Sequence, residues 1–412
     1  MIPYREALDR VRESAGRRRA DTGIEETPLE AAVGQVLARE LRAPREVPAF
    51  ANSAMDGFAV RTAAFGPDPA PVLAIAGEVA AGDRPPHAGG IGDGASAWEI
   101  MTGAPVPEPC DAVIRVEETE RVSPGRVRLK RLPSPGENVR PAGEDFHPGD
   151  RLLAAGVRIT PEHVLVLASL GLARIPVWRR PRIAVISTGP ELVELAAEAG
   201  DLPVGRIYNS TAPYLRARLG AFGAEVSYFG VVPDDPAHFH TLLGTILRSD
   251  PDLVVTTGAV SMGKHDFILP ALADAGAQVI FHRVAIRPGK PIAMAEWADR
   301  PTVFFGLPGN PISTAVGCRF FVEPWLRAKL GRSPERPRQA TLAEPFAKPE
   351  GLQCFLKAAI DSDTRRAWVL PGQASSLVGP LLRAQAWLVA PEGPAPQVGE
   401  AVTLFPLEGG EG

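Results

Sequence analysis

The chain has 412 residues, with 44 basic against 48 acidic side chains and a formal charge of −4. So even a balance is not the basic surplus of a nucleic-acid binder, and 6% aromatics leaves little for a stacking platform. Gly (41) and Pro (43) fall short of low-complexity disorder but demand frequent turns, and at about 150 residues per domain the length means two to four domains.

The first segment interleaves Arg5, Arg10, Arg12, Arg17, Arg18 and Arg19 with Glu6, Asp9 and Glu13, unlike an acid-poor transit peptide, and no signal-peptide core follows. Tyr4, Leu8, Val11 and Ala15 are spaced by four, three and four, which predicts one face of a helix. A second helix is predicted over residues 28–42, with Thr27 as cap, Pro28 in the first turn and Glu30 three past the cap. Short β-rich runs at 72–75, 112–116 and 126–129 then alternate with Gly/Pro clusters. Thr160 and Pro161 open another helix towards Leu172. The best apolar run, 164–173, is far below the roughly 18 residues of a membrane span. These features predict a helical platform (1–43 and 151–180) interrupted by a β-rich domain (44–150). No membrane or nucleic-acid partner is expected, and the setting is cytoplasmic.

From Arg182 the texture changes. Apolar runs at 182–187, 226–232, 253–257 and 279–284 are separated by helical stretches, one opened by Asp235 as cap and Pro236 in the first turn. Strands alternating with helices predict a doubly wound α/β domain over 181–331, whose ligands lie beyond the carboxyl ends of its parallel strands. A long helix is predicted over 312–330. Runs at 353–360, 386–390 and 402–407 predict a small all-β, barrel-like domain over 332–412. Cys110, Cys318 and Cys354 are far apart, with no CxxC, and read as reduced thiols.

The chemistry-bearing residues collect in loops after predicted strands. Thr188-Gly189-Pro190-Glu191 follows the first strand of the α/β domain, and the segment from Gly258 through Ser261 to Asp266 follows the third. Pro308, Gly309 and Asn310 precede a helix that starts at Pro311. Glycine loops let backbone N–H groups approach an anion, and a helix start adds a favourable dipole, so three on one sheet edge point to a phosphate-bearing ligand. Residues 258–264 imitate a P-loop, but His265 stands where Ser or Thr should hold Mg²⁺, and no strand ends in the acid of a nucleotide-hydrolysing site. Arg283, Arg287 and Lys290 lie close together with no acid between them, in a loop stiffened by Pro288 and Pro291, which suits a fixed anion site. Asp56, Asp145, Glu191, Asp234 and Asp266 sit in similar loops, and carboxylates beside phosphate are what Mg²⁺ requires. There is neither H-E-x-x-H nor G-x-S-x-G, so zinc-protease and serine-hydrolase chemistry are unsupported.

Taken together, PAFANSAMDGFAV (48–60), MTGAPVPEPCDAVIRVE (101–117), NVRPAGED (138–145), ISTGPEL (186–192), TGAVSMGKHD (257–266), VAIRPGKP (284–291) and GLPGNPIS (306–313) resemble the MoeA family. These are the molybdopterin molybdenumtransferases, a family that also includes the C-terminal domain of gephyrin. The resemblance spans nearly the whole chain in order. It implies a four-domain enzyme that inserts molybdate into adenylated molybdopterin and releases AMP with Mg²⁺, which Asp145 and Glu191 would hold. It further implies site roles for Asp56, Thr102, Arg140, Asp145 and Glu191. Substrate would meet Asp234, Gly258, Ser261, Asp266, Arg283, Arg287, Lys290, Pro308, Gly309, Asn310 and Ser375. A homodimer is implied, with Asp56 acting across the interface, as is a molybdopterin adenylyltransferase partner. The rival readings are adenylyl transfer from ATP and a gephyrin-like peptide-binding scaffold. Two departures stand out: Ala259 replaces the family's usual second glycine, and Arg283 and Arg287 replace frequent lysines.

Overall fold

The computed structural model describes residues 1–84, 96–195, 202–260 and 267–407. They form two compact units, one of residues 1–39, 155–160 and 174–412, the other of residues 40–154 and 161–173.

The larger unit is organised around a six-stranded sheet in the order Glu225–Val232, Arg182–Thr188, Leu253–Thr257, Val303–Leu307, Ala293–Glu296, Gln278–His282. The first four strands are parallel. The last two pairings are antiparallel, which corrects the expectation of a wholly parallel sheet. The reason is the connections: a parallel return needs a crossover of a dozen residues or more, whereas these are 283–292, which carries the short strand Ile286–Arg287 paired with the C-terminal sheet, and 297–302.

Alternation along the strands feeds two cores. Ile183, Val185, Leu253, Val255 and Phe305 face one side, and Ala184, Ile186, Val254 and Phe304 the other. The N-terminal helix, Tyr4–Arg17, joins the first core through Ala7, Val11 and Ala15. It packs beside the long C-terminal helix, where Trp325 Nε1 donates to Ser14 Oγ at 3.1 Å. That long helix runs as predicted from Pro311 to Lys329, with a π-helical turn at Cys318–Val322.

The helix predicted over 28–42 does not form. Ile24–Pro28 is a strand paired with Arg174–Trp178, and only Leu29–Ala32 makes a 3₁₀ turn. Gly34 then takes φ +83°, a conformation that stops a helix, and the following backbone bonds elsewhere, with Leu37 N–H donating to Val157 O at 2.8 Å. Nor do residues 1–43 and 151–180 form a helical platform: among the described residues they contain two α-helices, Tyr4–Arg17 and Pro161–Ser169, which belong to different units. Tertiary β pairing overrides the local helical signal.

The C-terminal segment closes on itself. Gln353–Asp361, Arg366–Val369, Arg338–Leu342, Ala401–Pro406 and Ala386–Ala390 pair in that order, and the last pairs back onto the first, making a small barrel. In the smaller unit a second six-stranded sheet runs Ala112–Arg115, Gly57–Val60, Ser96–Ile100, Val72–Val79, Arg126–Leu129, Thr119–Ser123. Its core is Phe58, Val60, Leu73, Ala97, Ile114 and Val127 with their neighbours.

Candidate active site

In the larger unit the chain leaves the strand Arg182–Thr188 for one neighbour and crosses to the other, Leu253–Thr257, on its return. Their carboxyl ends are therefore a topological switch point, where an open α/β sheet leaves a crevice. At that point Gly258 has φ +92°, and a Cβ there would lie 2.5 Å from Thr188 Oγ1 and 2.7 Å from Thr188 O. The loop of the next strand lies against it at van der Waals distance: a Cβ on Gly309 would sit 3.5 Å from Gly258 Cα. Glycine is thus required at 258 by both conformation and space. Ala259 takes φ +49°, an uncommon conformation for a residue with a Cβ.

Beneath these loops lies a buried polar network that the motifs did not reveal. Asn209 Nδ2 donates to Ser187 Oγ at 3.1 Å and to Tyr228 OH at 2.8 Å. Its Oδ1 accepts from Thr211 Oγ1 and from Ala212 N–H, both at 3.2 Å. Thr257 Oγ1 lies 3.4 Å from Ser187 Oγ, and Thr188 Oγ1 donates to Thr257 O at 3.0 Å. Burial, then the hydrogen bond to Glu194, pushes the Tyr228 hydroxyl up to about 12, so it stays a neutral donor. The only sequence signal was the run of hydroxyls at strand ends (Ser187-Thr188, Thr256-Thr257) opposite Asn209 and Thr211.

The other expected residues of this unit surround the same edge. Glu191 is exposed, and both its carboxylate oxygens lie within 2.8 Å of where a Gly189 Cβ would be. Asp234 is exposed two residues beyond Glu225–Val232. Pro308, Gly309 and Asn310 lead into the helix, whose first N–H, from Ile312 because Pro311 has none, donates to the carbonyl of Ser375 at 3.0 Å. Gln278–His282 runs in the same direction as the parallel strands, so the loop after it, with Arg283, Arg287 and Lys290, emerges on this edge too. That loop is tied down by His282 Nε2, which meets Val260 O at 3.0 Å, by Ala285 N–H donating to Ile2 O at 2.8 Å, and by Ile286-Arg287, which pairs with Gln353-Cys354. Arg287 and Lys290 are exposed, Arg283 is half-buried, and no ion pair engages any of the three among the described residues. Ser261 and Asp266 lie outside the described residues.

In the smaller unit three loops are tied to one another. Asp56 Oδ1 accepts from Thr102 N–H at 2.6 Å and from Thr102 Oγ1 at 2.7 Å. These bonds hold the Asp56 carboxyl below the usual carboxylate range although it is exposed. Ser53 N–H donates to Ala104 O at 2.9 Å, and Asn52-Ser53 pairs with Val139-Arg140, which brings exposed Arg140 to the same place. Gly57 fixes the turn after Asp56, since a Cβ there would be 2.0 Å from Ile114 O. Asp145 is exposed on the following loop, its N–H donating to Val47 O at 2.9 Å. Among the described residues no group of three His, Cys, Asp or Glu side chains is arranged to hold a metal.

Comparison with known proteins agrees with this layout. Three family models match: the MoeA N-terminal region (domain I and II) at 2–171, a probable molybdopterin binding domain at 184–328, and the MoeA C-terminal region (domain IV) at 339–407. A molybdopterin molybdenumtransferase of Synechococcus elongatus is 38% identical over 376 residues, covering 90% of this chain and 91% of the relative. The chain belongs to the MoeA family. A Bacillus subtilis protein of the same name is 33% identical over 95% of this chain and 90% of its own length. The MoeA architecture extends to a molybdopterin biosynthesis MoeA protein from Pyrococcus horikosii, similar with a TM-score of 0.81 at 29% identity, covering 99% of this chain and all of the other. Within this MoeA fold, the segment 184–328 that matches the probable molybdopterin binding domain contains the crevice, and the N-terminal region contains the Asp56–Thr102 loops.

Proposed function

We propose that this chain is a molybdopterin molybdenumtransferase, which inserts molybdate into the dithiolene of adenylated molybdopterin and releases AMP. Its place as an enzyme of molybdenum cofactor biosynthesis rests on relatives of matching length that carry that name. One observation supports the substrate class most: Gly258, Gly309, the helix start at Pro311 and the basic loop 283–290 all converge on one sheet edge. Loop N–H groups brought close by these glycines, other than those of Gly258 and Ile312, which already donate to Leu307 O and Ser375 O, donate to phosphate oxygens, and Arg283, Arg287 and Lys290 attract the molybdate dianion. The buried Asn209 network fixes the strand ends, so that these donors are oriented before the ligand arrives.

Asp145 in the smaller unit and Glu191 in the larger are the carboxylates that would serve Mg²⁺. Each is an exposed hard oxygen donor, which suits an ion that takes one or two carboxylates and completes its shell with water and phosphate. The ion would supply neutralisation of phosphoanhydride charge. Asp56, held by Thr102, presents a fixed negative charge, and Arg140 beside it a positive one. We also propose a cytoplasmic homodimer in which the site is completed by the partner's inserted domain, with Asp56 acting across the interface, and a molybdopterin adenylyltransferase that delivers the substrate.

The test is product analysis after incubation with adenylated molybdopterin, molybdate and Mg²⁺. AMP together with molybdenum-loaded pterin is the expected outcome. Consumption of ATP with free molybdopterin would instead assign adenylyl transfer, and neither reaction would leave a scaffold.

A further inference from the structure

We propose a second anion site in the larger unit, away from the crevice, for a small organic phosphate about the size of a nucleoside monophosphate. A cavity of about 270 Å³ opens between the helix Tyr4–Arg17 and the helical run ending at Lys329. Five of its lining side chains are arginines (Arg12, Arg19, Arg319, Arg327, Arg332) against a single carboxylate, Glu335.

Arg319 is already neutralised: its guanidinium reaches Glu323 at 3.1 Å and Glu335 at 2.6 Å, and Glu323 also binds Arg218 at 2.5 Å. The surplus positive charge comes from the rim. Arg19 donates Nε and Nη2 to the Ala328 carbonyl at 3.3 and 2.8 Å, which positions the guanidinium without cancelling its charge. Among the described residues Arg12 has an ion pair with Asp9 alone, at 3.9 Å. Within the wall, Arg319 Nε is buried and has no acceptor among the described residues.

Part of the lining is apolar. Phe320 and Phe405 meet edge to face at 5.4 Å, and Tyr4 and Leu8 also line the cavity. Forked donors and aromatic rings lining one cavity suit a phosphomonoester attached to a ring system rather than a bare inorganic anion. The position is distinct from the crevice. Lys329 Nζ lies 3.3 Å from Asp252, the residue before Leu253–Thr257, so the helix ends at the amino edge of the sheet. The glycine loops lie at the carboxyl edge.

Titration calorimetry of the full-length protein at fixed ionic strength tests this, with AMP, ribose 5-phosphate and sulfate as probes. AMP should fill a site that Arg12→Ala/Arg19→Ala weakens at least tenfold and that Arg283→Ala/Arg287→Ala leaves intact. Ribose 5-phosphate should bind it more weakly, and sulfate should fail to displace AMP at equal concentration. Arg12→Lys/Arg19→Lys, which keeps charge but loses the fork, should give an intermediate loss, and it serves as the probe if the alanine pair unfolds. The proposal is overturned if AMP binding is insensitive to both rim variants, if it disappears with the crevice variants alone, if sulfate competes as well as AMP, or if AMP does not bind.

Discussion

At the carboxyl edge of the α/β sheet, the groups offered to a ligand are held by atoms that solvent never reaches: Ser187, Asn209 and Thr257 are all buried. In the β-rich unit, Asp56, Thr102, Arg140 and Asp145 are held by loop-to-loop hydrogen bonds, and their own side chains are exposed or nearly so. The first arrangement makes recognition inseparable from folding, because the donors are backbone groups that exist only while the strands are in register. The second presents charges that can be removed without disturbing the core. Substitutions should therefore lower stability and activity together in the crevice, and activity alone at the exposed carboxylates.

The largest effect is expected at Gly258. Gly258→Val forces a β-branched side chain into φ +92° and against Thr188, so it should cost about 1–3 kcal/mol in strain alone and abolish turnover. A thermal melt alongside an AMP assay would expose a contrary result, a stable and active variant. On the other side of the comparison, Asp145→Asn should lower AMP formation by about 100-fold or more, as loss of an electrostatic group does in other active sites. Its unfolding free energy should stay within about 0.5 kcal/mol, the usual range for exposed positions. Concerted loss of stability in denaturant titration would erase the proposed difference between the regions. Asn209→Leu is predicted to cost about 1–3 kcal/mol by orphaning buried hydroxyls, with a parallel fall in affinity for the pterin substrate.

The smallest effect is one of pH. Glu118 in the β-rich unit is held at about 2 by Arg131 at 2.7 Å and Arg115 at 3.2 Å. A depressed carboxyl stabilises above its unfolded value near 4.5 and loses that contribution as pH falls towards 2. Glu118→Gln should flatten that limb of a stability–pH curve, and an unchanged limb would remove the pair from the account.

Much of this was legible beforehand, for physical reasons. Arg182–Thr188 and Leu253–Thr257 are short apolar runs followed by glycine, the pattern of strands buried on both faces. Asp235 with Pro236 marks a helix start, and the structure places Asp235 Oδ1 on Ala237 N–H at 2.9 Å. What failed was local reading where distant partners decide: the 28–42 segment carries a good cap, yet its backbone bonds go to residues 157–159 and 174–178. At the site, glycine loops and charge clusters announced themselves. Asn209 and Tyr228 did not, because a buried hydrogen-bond network has no spacing of its own in the chain.

The most direct measurement is a molybdate titration of AMP release with adenylated molybdopterin and Mg²⁺ in limiting-substrate conditions. The account predicts AMP in proportion to molybdate supplied, until the pterin is exhausted, and almost none without it. AMP release at the same yield in the absence of molybdate would contradict it.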